Sequence, residues 1–280
     1  MRLISYRSGR GDRAGILRDG GVIDAGDALG LEVATVRGLL TDDLLGPLAD
    51  AGGAAVPLAD VTFLPVIPNP EKIVCIGLNY REHAAEGRQE PPPVPTFFAK
   101  FRNSLVPDGA VVELPAASSK VDYEAEVAFV VGRTAREVSA ADALDHIAGY
   151  TLLNDLSARD LQFQTPQWIP GKVFDGSAPC GPALVTADEV TAAPDGIGIA
   201  LDLNGERMQE ATTADLIFPI PELLAHLSRL MTLVPGDIVS TGTPAGVGGA
   251  REPRVWLQPG DELVVSSPEL GSLRTTIARS

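Results

Sequence analysis

Cysteine occurs only twice in these 280 residues, at Cys75 and Cys180, and aromatic residues make up 5% of the chain. Two distant cysteines supply neither a metal-binding spacing nor a disulfide framework, so a reduced, cytoplasmic setting is the expectation. So few aromatic rings leave Ala, Val and Leu to fill most of the core. A basic surface is also missing: 22 Lys and Arg against 37 Asp and Glu give a net charge of −15. That balance argues against nucleic acid or an anionic membrane as partner. There is no apolar run of membrane-helix length. The opening Met-Arg-Leu-Ile-Ser-Tyr-Arg lacks the apolar region of a signal peptide, which again predicts a cytoplasmic protein. What abounds is glycine and proline, 29 and 23 residues, which predict many turns and a β-rich fold. The length suits one large domain, or one large and one small.

The most informative stretch is Val-Asp-Tyr-Glu-Ala-Glu-Val-Ala-Phe, residues 121–129. Its period of two predicts a strand, with Glu124 and Glu126 on one face and their Cα atoms roughly 6–7 Å apart. If that strand is buried, each carboxylate costs several kcal/mol unless paired or bound to a cation. A divalent metal answers both problems; an exposed, solvated face is the plain alternative.

Residues 1–67 read as a small N-terminal module, with strands at 3–6, 14–17 and 22–24, an Asp19-Gly20-Gly21 hairpin turn and a helix within 33–48. Pro65, Pro68 and Pro70 mark a linker. A buried strand over 72–77 leads into a short helix, with Asn79 as its cap and Gly87 as its stop. On that helix His83 and Glu86, three apart, are neighbours. A carboxylate beside an imidazole orients its tautomer and raises its basicity, as a general base requires; a solvated ion pair has the same spacing. Residues 89–95 form a proline-rich segment placed as a lid.

Further along, a helix is expected over 139–147 with Ser139 as N-cap, then a strand over 148–153 ending in Asn154-Asp155. Asp155 at that strand end is placed to share a site with Glu124 and Glu126. Ser157 reads as a helix cap, Arg159 and Asp160 as structural ion-pair partners, and Trp168 as exposed in a loop. Lys172 lies in a glycine-flanked turn; it is either solvated or, facing an acidic metal site, a ligand for a substrate carboxylate or enolate. Asn204-Gly205 signals a type I′ hairpin, and residues 219–233 the clearest helix, with Leu223, Leu224, Leu227, Leu230 and Met231 as its apolar face. His146 and His226 read as core or surface histidines. Residues 238–249 run from a strand into a glycine-rich loop that lacks both nucleotide-binding fingerprints. Its backbone N–H groups and the Thr243 hydroxyl suit a small carboxylate.

Together the segments Gly77-Leu78-Asn79-Tyr80…His83…Glu86, Asp122-Tyr123-Glu124-Ala125-Glu126, Asn154-Asp155…Ser157-Ala158-Arg159-Asp160-Leu161-Gln162, Lys172…Phe174-Asp175-Gly176 and Ser240-Thr241-Gly242-Thr243-Pro244-Ala245-Gly246-Val247-Gly248 resemble the fumarylacetoacetate hydrolase family. The resemblance covers residues 68–280, and residues 1–67 resemble the short N-terminal domain of bacterial members. It implies an α+β, mainly β fold: a mixed β-sandwich roll preceded by a small α/β module, usually homodimeric. It implies a metal on Glu124, Glu126 and Asp155, usually Mg2+, with Mn2+ or Ca2+ as alternatives. It further implies a His83–Glu86 dyad that activates water, with Lys172, Gln162 and Thr243 holding the substrate or its oxyanion. The founding eukaryotic enzymes place a further aspartate on the metal near the start of the His-containing motif; this chain has Asn79 in that neighbourhood, which suggests an extra water there. The implied reaction is hydrolysis of a C–C bond in a β-diketone or acylpyruvate-type acid. Oxaloacetate decarboxylation and 2-hydroxy-dienoate isomerisation or tautomerisation use the same parts. A non-catalytic metal-binding protein is the reading from another class.

Overall fold

The computed structural model describes residues 1–18, 20–87, 90–190 and 196–279. The fold is α+β and mainly β, with short helices between strands. A twelve-stranded sheet dominates, beside a five-stranded and a two-stranded one, counted among the described residues. No described helix is long and apolar enough to cross a membrane. In the large sheet the order passes from Arg2–Ser8 through Ala178–Thr186, Ile147–Asn154, Ala125–Val131 and Ile238–Ser240 to Ile73–Gly77 and Thr96–Lys100.

Ala125–Val131 and Ile147–Asn154 pair antiparallel at the centre and are buried along their whole length, as sheet covered on both faces must be. Their period of two sorts side chains into two cores. Val127, Phe129 and Val131 pack with Leu223, Leu224 and Leu227 of helix Ile220–Leu230 and with Leu263 and Leu273 of the five-stranded sheet. Ala128 and Val130 pack with Leu3, Ile16, Val36 and Leu39 from the chain's beginning. Each such leucine or isoleucine contributes about 1.5–3 kcal/mol by leaving water. Glu126 continues the Ala128–Val130 row to the strand's start, so it emerges at the rim of the second core.

The N-terminal strands extend this same sheet. Arg2 and Leu3 pair with Val185 and Leu184, and Ser5–Arg7 pair with Thr62–Leu64. Of the hairpin expected at Asp19-Gly20-Gly21, Asp19 lies outside the described residues; Arg18 and Gly21 are paired across it. Asn204 and Gly205 both take left-handed backbone, φ 52° and 82°, as a type I′ turn requires.

Several local expectations are corrected. The strand expected over 121–129 is broken: Val121–Asp122 pairs with Ser157–Ala158, and the ladder resumes at Ala125. In the gap the Glu124 N–H donates to Asn154 Oδ1 and the Ala125 N–H to Gln209 Oε1, both at 3.0 Å. Side-chain amides thus satisfy the backbone where the ladder stops. The helix expected within 33–48 is two, Val36–Thr41 and Leu45–Ala49, because Asp43 turns left-handed at φ 55°. Residues 139–147 hold no α-helix, only the 3-10 turn Ala143–His146; Ser139 Oγ accepts from the Asp142 N–H at 3.3 Å, as a cap would, and donates to Asp142 Oδ2 at 2.7 Å. The helix read over 219–233 spans Ile220–Leu230, and Leu230 lies on its exposed side.

Candidate active site

Three carboxylates converge where the central strands begin and end. Glu124 and Glu126 flank the start of Ala125–Val131, and Asp155 follows the last residue of its antiparallel partner. The Asp155 N–H donates to the Glu124 carbonyl at 2.8 Å, which closes the corner. Ligand oxygens of the three acids lie within 4.8 Å of one another, and all three residues are buried.

Like charges packed so closely demand cations, and the fold delivers them from three segments. Lys172 Nζ lies 2.6 Å from Glu124 Oε2 and 2.9 Å from Asp155 Oδ2. Arg159 Nη2 is 2.7 Å from Glu124 Oε1, and Lys100 Nζ is 2.7 Å from Asp155 Oδ1. Lys172 also sits 4.8 Å above the Phe98 ring, a cation–π contact. Glu126 has no cationic partner among the described residues; its Oε2 accepts from Ser240 Oγ and, at 2.9 Å, from the Gly242 N–H. The electrostatics follow. Burial, then the charges of Asp155 and Glu124, push the Glu126 carboxyl up to about 8. Burial acts the same way on Glu124, but Arg159 and Lys172 outweigh it and hold that carboxyl well below the usual range. For Lys172 burial opposes the charged form, and Asp155 and Glu124 overcome it, raising its affinity for the proton. An all-oxygen donor set with one carboxylate lacking a cation fits a hard divalent ion such as Mg2+, Mn2+ or Ca2+. Asn79 offers no fourth ligand: its amide donates to the Phe218 and Thr241 carbonyls and its oxygen accepts from the Phe218 N–H.

A cavity of about 730 Å3 opens over these acids, and His83, Glu86, Gln162, Lys172 and Thr243 line it with them. Every residue singled out from the sequence as a site residue therefore meets in one place. His83 Nδ1 lies 2.8 Å from Glu86 Oε1, and the other Glu86 oxygen accepts from the Gly246 N–H at 2.9 Å. The carboxylate is thus anchored on the glycine-rich loop and faces the imidazole. Thr243 Oγ1 accepts from Gln209 Nε2 at 2.8 Å, which leaves its own hydrogen to donate. Gln162 accepts from Arg159 Nη1 at 3.0 Å.

Other expectations change. Ser157 is no helix cap: its hydroxyl donates to the Asp155 carbonyl at 2.8 Å. Trp168 is half-buried, in an edge contact with Phe98 and close against Gly77, where a Cβ would fall 2.4 Å from a ring carbon. Arg159 is an ion-pair partner as read, but of Asp122 and Glu124 and within the cavity wall. Asp160 instead accepts from Ser118 and Ser119. Lys100 was not foreseen; a lysine ending strand Thr96–Lys100 carries no spacing signal toward Asp155. Of the lid expected at 89–95, Gln89 lies outside the described residues, and residues 90–95 do not line the cavity.

Comparison with known proteins agrees with this geometry. The model of the fumarylacetoacetate (FAA) hydrolase C-terminal family matches residues 72–278. The chain is 43% identical to the mitochondrial oxaloacetate tautomerase FAHD2B of Bos taurus over 218 residues, 77% of this chain and 69% of that protein. Its structure is similar to that of a fumarylacetoacetate hydrolase from the psychrophile Exiguobacterium antarcticum, at TM-score 0.87 and 31% identity, covering 100% of both chains. It is also similar to 2-hydroxyhepta-2,4-diene-1,7-dioate isomerase from Mycobacterium marinum, at TM-score 0.80 and 32% identity, covering 100% of this chain and 99% of that one.

Proposed function

This chain belongs to the fumarylacetoacetate hydrolase family, and we propose that it interconverts the enol and keto forms of a short 2-oxo dicarboxylate such as oxaloacetate. One observation carries the reading: a His83–Glu86 pair and a three-acid cluster line a single cavity. That arrangement suits moving a proton at the carbon next to a carbonyl. The oxaloacetate tautomerase relative supports it, and no leaving group or bound water has to be assumed.

The residues divide the work by chemistry. Glu86 accepts the Nδ1–H of His83 and so leaves Nε2 as the basic nitrogen. In the enolising direction Nε2 takes a proton from C3 and the C2 oxygen takes one from solvent; in the ketonising direction the imidazolium returns a proton to C3 while the C2 hydroxyl releases its own to solvent. A positioned base of this kind contributes about 10^2–10^4-fold. Three Arg159 N–H bonds donate to Asp122, Glu124 and Gln162, and Nη2 also lies 2.8 Å from Asp122 Oδ2, which leaves an Nη1 N–H for a substrate carboxylate. Lys172 and the Thr243 hydroxyl place further donors on the same wall. A divalent ion on Glu124, Glu126 and Asp155 would supply fixed positive charge for the oxygens of the 2-oxo acid.

Hydrolysis of an acylpyruvate is the second reading, with His83 taking its proton from water. The size of the cavity favours it: about 730 Å3 is far more than a four-carbon acid fills. A proton-NMR time course with oxaloacetate and with acylpyruvates separates the chemistries. Accelerated enol–keto exchange without net product supports tautomerisation; pyruvate with carbon dioxide means decarboxylation, and pyruvate with a second acid means hydrolysis. The proposal includes a homodimer, which light scattering tests directly.

A further inference from the structure

Asp122 is a fully buried acid that the proposed chemistry does not use, and it does not line the cavity. Its surroundings are nonetheless built in detail. Oδ1 accepts from the Gly248 N–H at 2.7 Å, and Oδ2 accepts from the Gly249 N–H at 3.0 Å and from Arg159 Nε at 2.9 Å. Arg159 Nη2 lies 2.8 Å from the same carboxylate. The glycine-rich loop is shaped to this acid: a Cβ on Gly248 would stand 2.8 Å from Asp122 Oδ1 and 2.1 Å from the Val255 carbonyl oxygen. Asp122 thus ties two otherwise separate cavity walls, the loop around Gly248 and the segment carrying Arg159.

We propose that Asp122 is a positioning residue that fixes the direction of the Arg159 guanidinium, and thereby the site's grip on the substrate carboxylate. The inference rests on the reading of Arg159 as a carboxylate binder given above. The reason is the division of charge. Arg159 stands between Asp122 and Glu124, with Nη2 2.7 Å from Glu124 Oε1 and Nη1 3.0 Å from Gln162 Oε1. With Asp122 charged, the fork is held at its Nε edge and Nη1 stays beside Gln162, facing the ligand space. Without that charge, Glu124 is the only carboxylate left to Arg159, and the guanidinium turns onto it. The spare Nη1 N–H then leaves its place, and Gln162 loses its donor.

The test is Asp122→Asn, which keeps the volume, set beside Asp237→Asn as a matched control. Asp237 is also fully buried and accepts from the Lys72 N–H, Lys72 Nζ and the Val234 N–H, but, unlike Arg159 and Gly249 beside Asp122, these partners do not line the cavity. Both variants should melt lower than wild type. Only D122N should show a KM for oxaloacetate raised about tenfold or more, with kcat close to wild type, as expected for a lost charge-assisted contact to the ligand. Calorimetric affinity for oxalate, a planar dianion that resembles a 2-oxo carboxylate, should fall in D122N and hold in D237N. A D122N enzyme with the KM and oxalate affinity of D237N overturns the proposal. If D122N does not fold, Gly249→Ala carries the test, since its methyl would press on Asp122 Oδ2 from 3.1 Å: raised KM and weakened oxalate binding support the proposal, and unchanged values overturn it. A wild-type enzyme inert towards oxaloacetate overturns the functional reading and this inference together, whereas an active wild type with an indifferent D122N overturns this inference alone.

Discussion

Replacing Glu86 with Gln isolates the dyad, because the new side chain has the same shape and one acceptor fewer. In the native protein one Glu86 oxygen faces His83 Nδ1 at 2.8 Å and the other accepts from the Gly246 N–H at 2.9 Å. Glutamine can satisfy only one of these with its oxygen; its NH2 then faces the other. Gly246 holds its place firmly, since it has φ 104° and a Cβ there would fall 2.2 Å from the Met208 carbonyl oxygen. The amide oxygen therefore stays on the loop, and the NH2 faces the imidazole. That selects the His83 tautomer with its proton on Nε2, the wrong one for a base. Exchanging a charge-assisted hydrogen bond for a mismatched one costs about 1.5–3 kcal/mol. At about 1.4 kcal/mol per decade, kcat should fall about 10–100-fold. The assay is the decay of enol absorbance of oxaloacetate, followed on enzyme whose melting temperature has been checked. An E86Q enzyme that folds normally and matches wild-type kcat would refute the dyad.

Three further outcomes follow from the same geometry. Lys172→Met leaves Glu124 and Asp155 facing each other without their shared cation; breaking such a buried pair costs about 3–5 kcal/mol, and thermal unfolding of the chelated protein should register it. Glu126 binds a proton in the folded, metal-free protein up to about pH 8, while an ordinary carboxyl at 4.5 has released it. Between those values the folded state holds the extra proton, so stability falls as pH rises through the window; Glu126→Gln should flatten that slope in melting curves of chelated protein, and an unchanged slope assigns the proton elsewhere. Gly77→Ala should push Trp168 off its seat, because the added methyl would lie 2.4 Å from the ring; a shift in tryptophan emission together with a raised KM is expected, and unchanged emission would contradict the packing.

The candidate site was legible wherever a local period carried it. Alternation along 121–129 put Glu124 and Glu126 on one side, and helical spacing joined His83 to Glu86; both pairings stand in the structure. Lys172 had no such signal and depended on family resemblance, because a turn lysine looks the same whether it meets water or two buried acids. What stayed illegible is the set of contacts made between distant segments. Asn79 and Ser157 look like helix caps locally, yet their side chains serve the Phe218 and Thr241 backbone and the Asp155 carbonyl. Asn154 and Gln209 replace ladder bonds beside Glu124, which no propensity scale registers. Lys100 meets Asp155 although its strand lies several places along the sheet from Ile147–Asn154, and sequence separation hides that approach. At the fold level the strands of the first residues were readable as short, largely apolar runs, but their pairing with Ala178–Thr186 joins residues too far apart in sequence for local patterns to register.

In the proposed function the three buried carboxylates would hold a cation beside the imidazole that moves the proton. Stopped-flow decay of oxaloacetate enol absorbance tests it most directly, with enzyme stripped by chelator and then titrated with Mg2+ or Mn2+. Stripped enzyme should leave the spontaneous rate unchanged, the ion should restore acceleration in wild type, and Asp155→Asn should remain inert at the same ion concentration. Full acceleration by the stripped enzyme, or by the Asp155 variant, would contradict it.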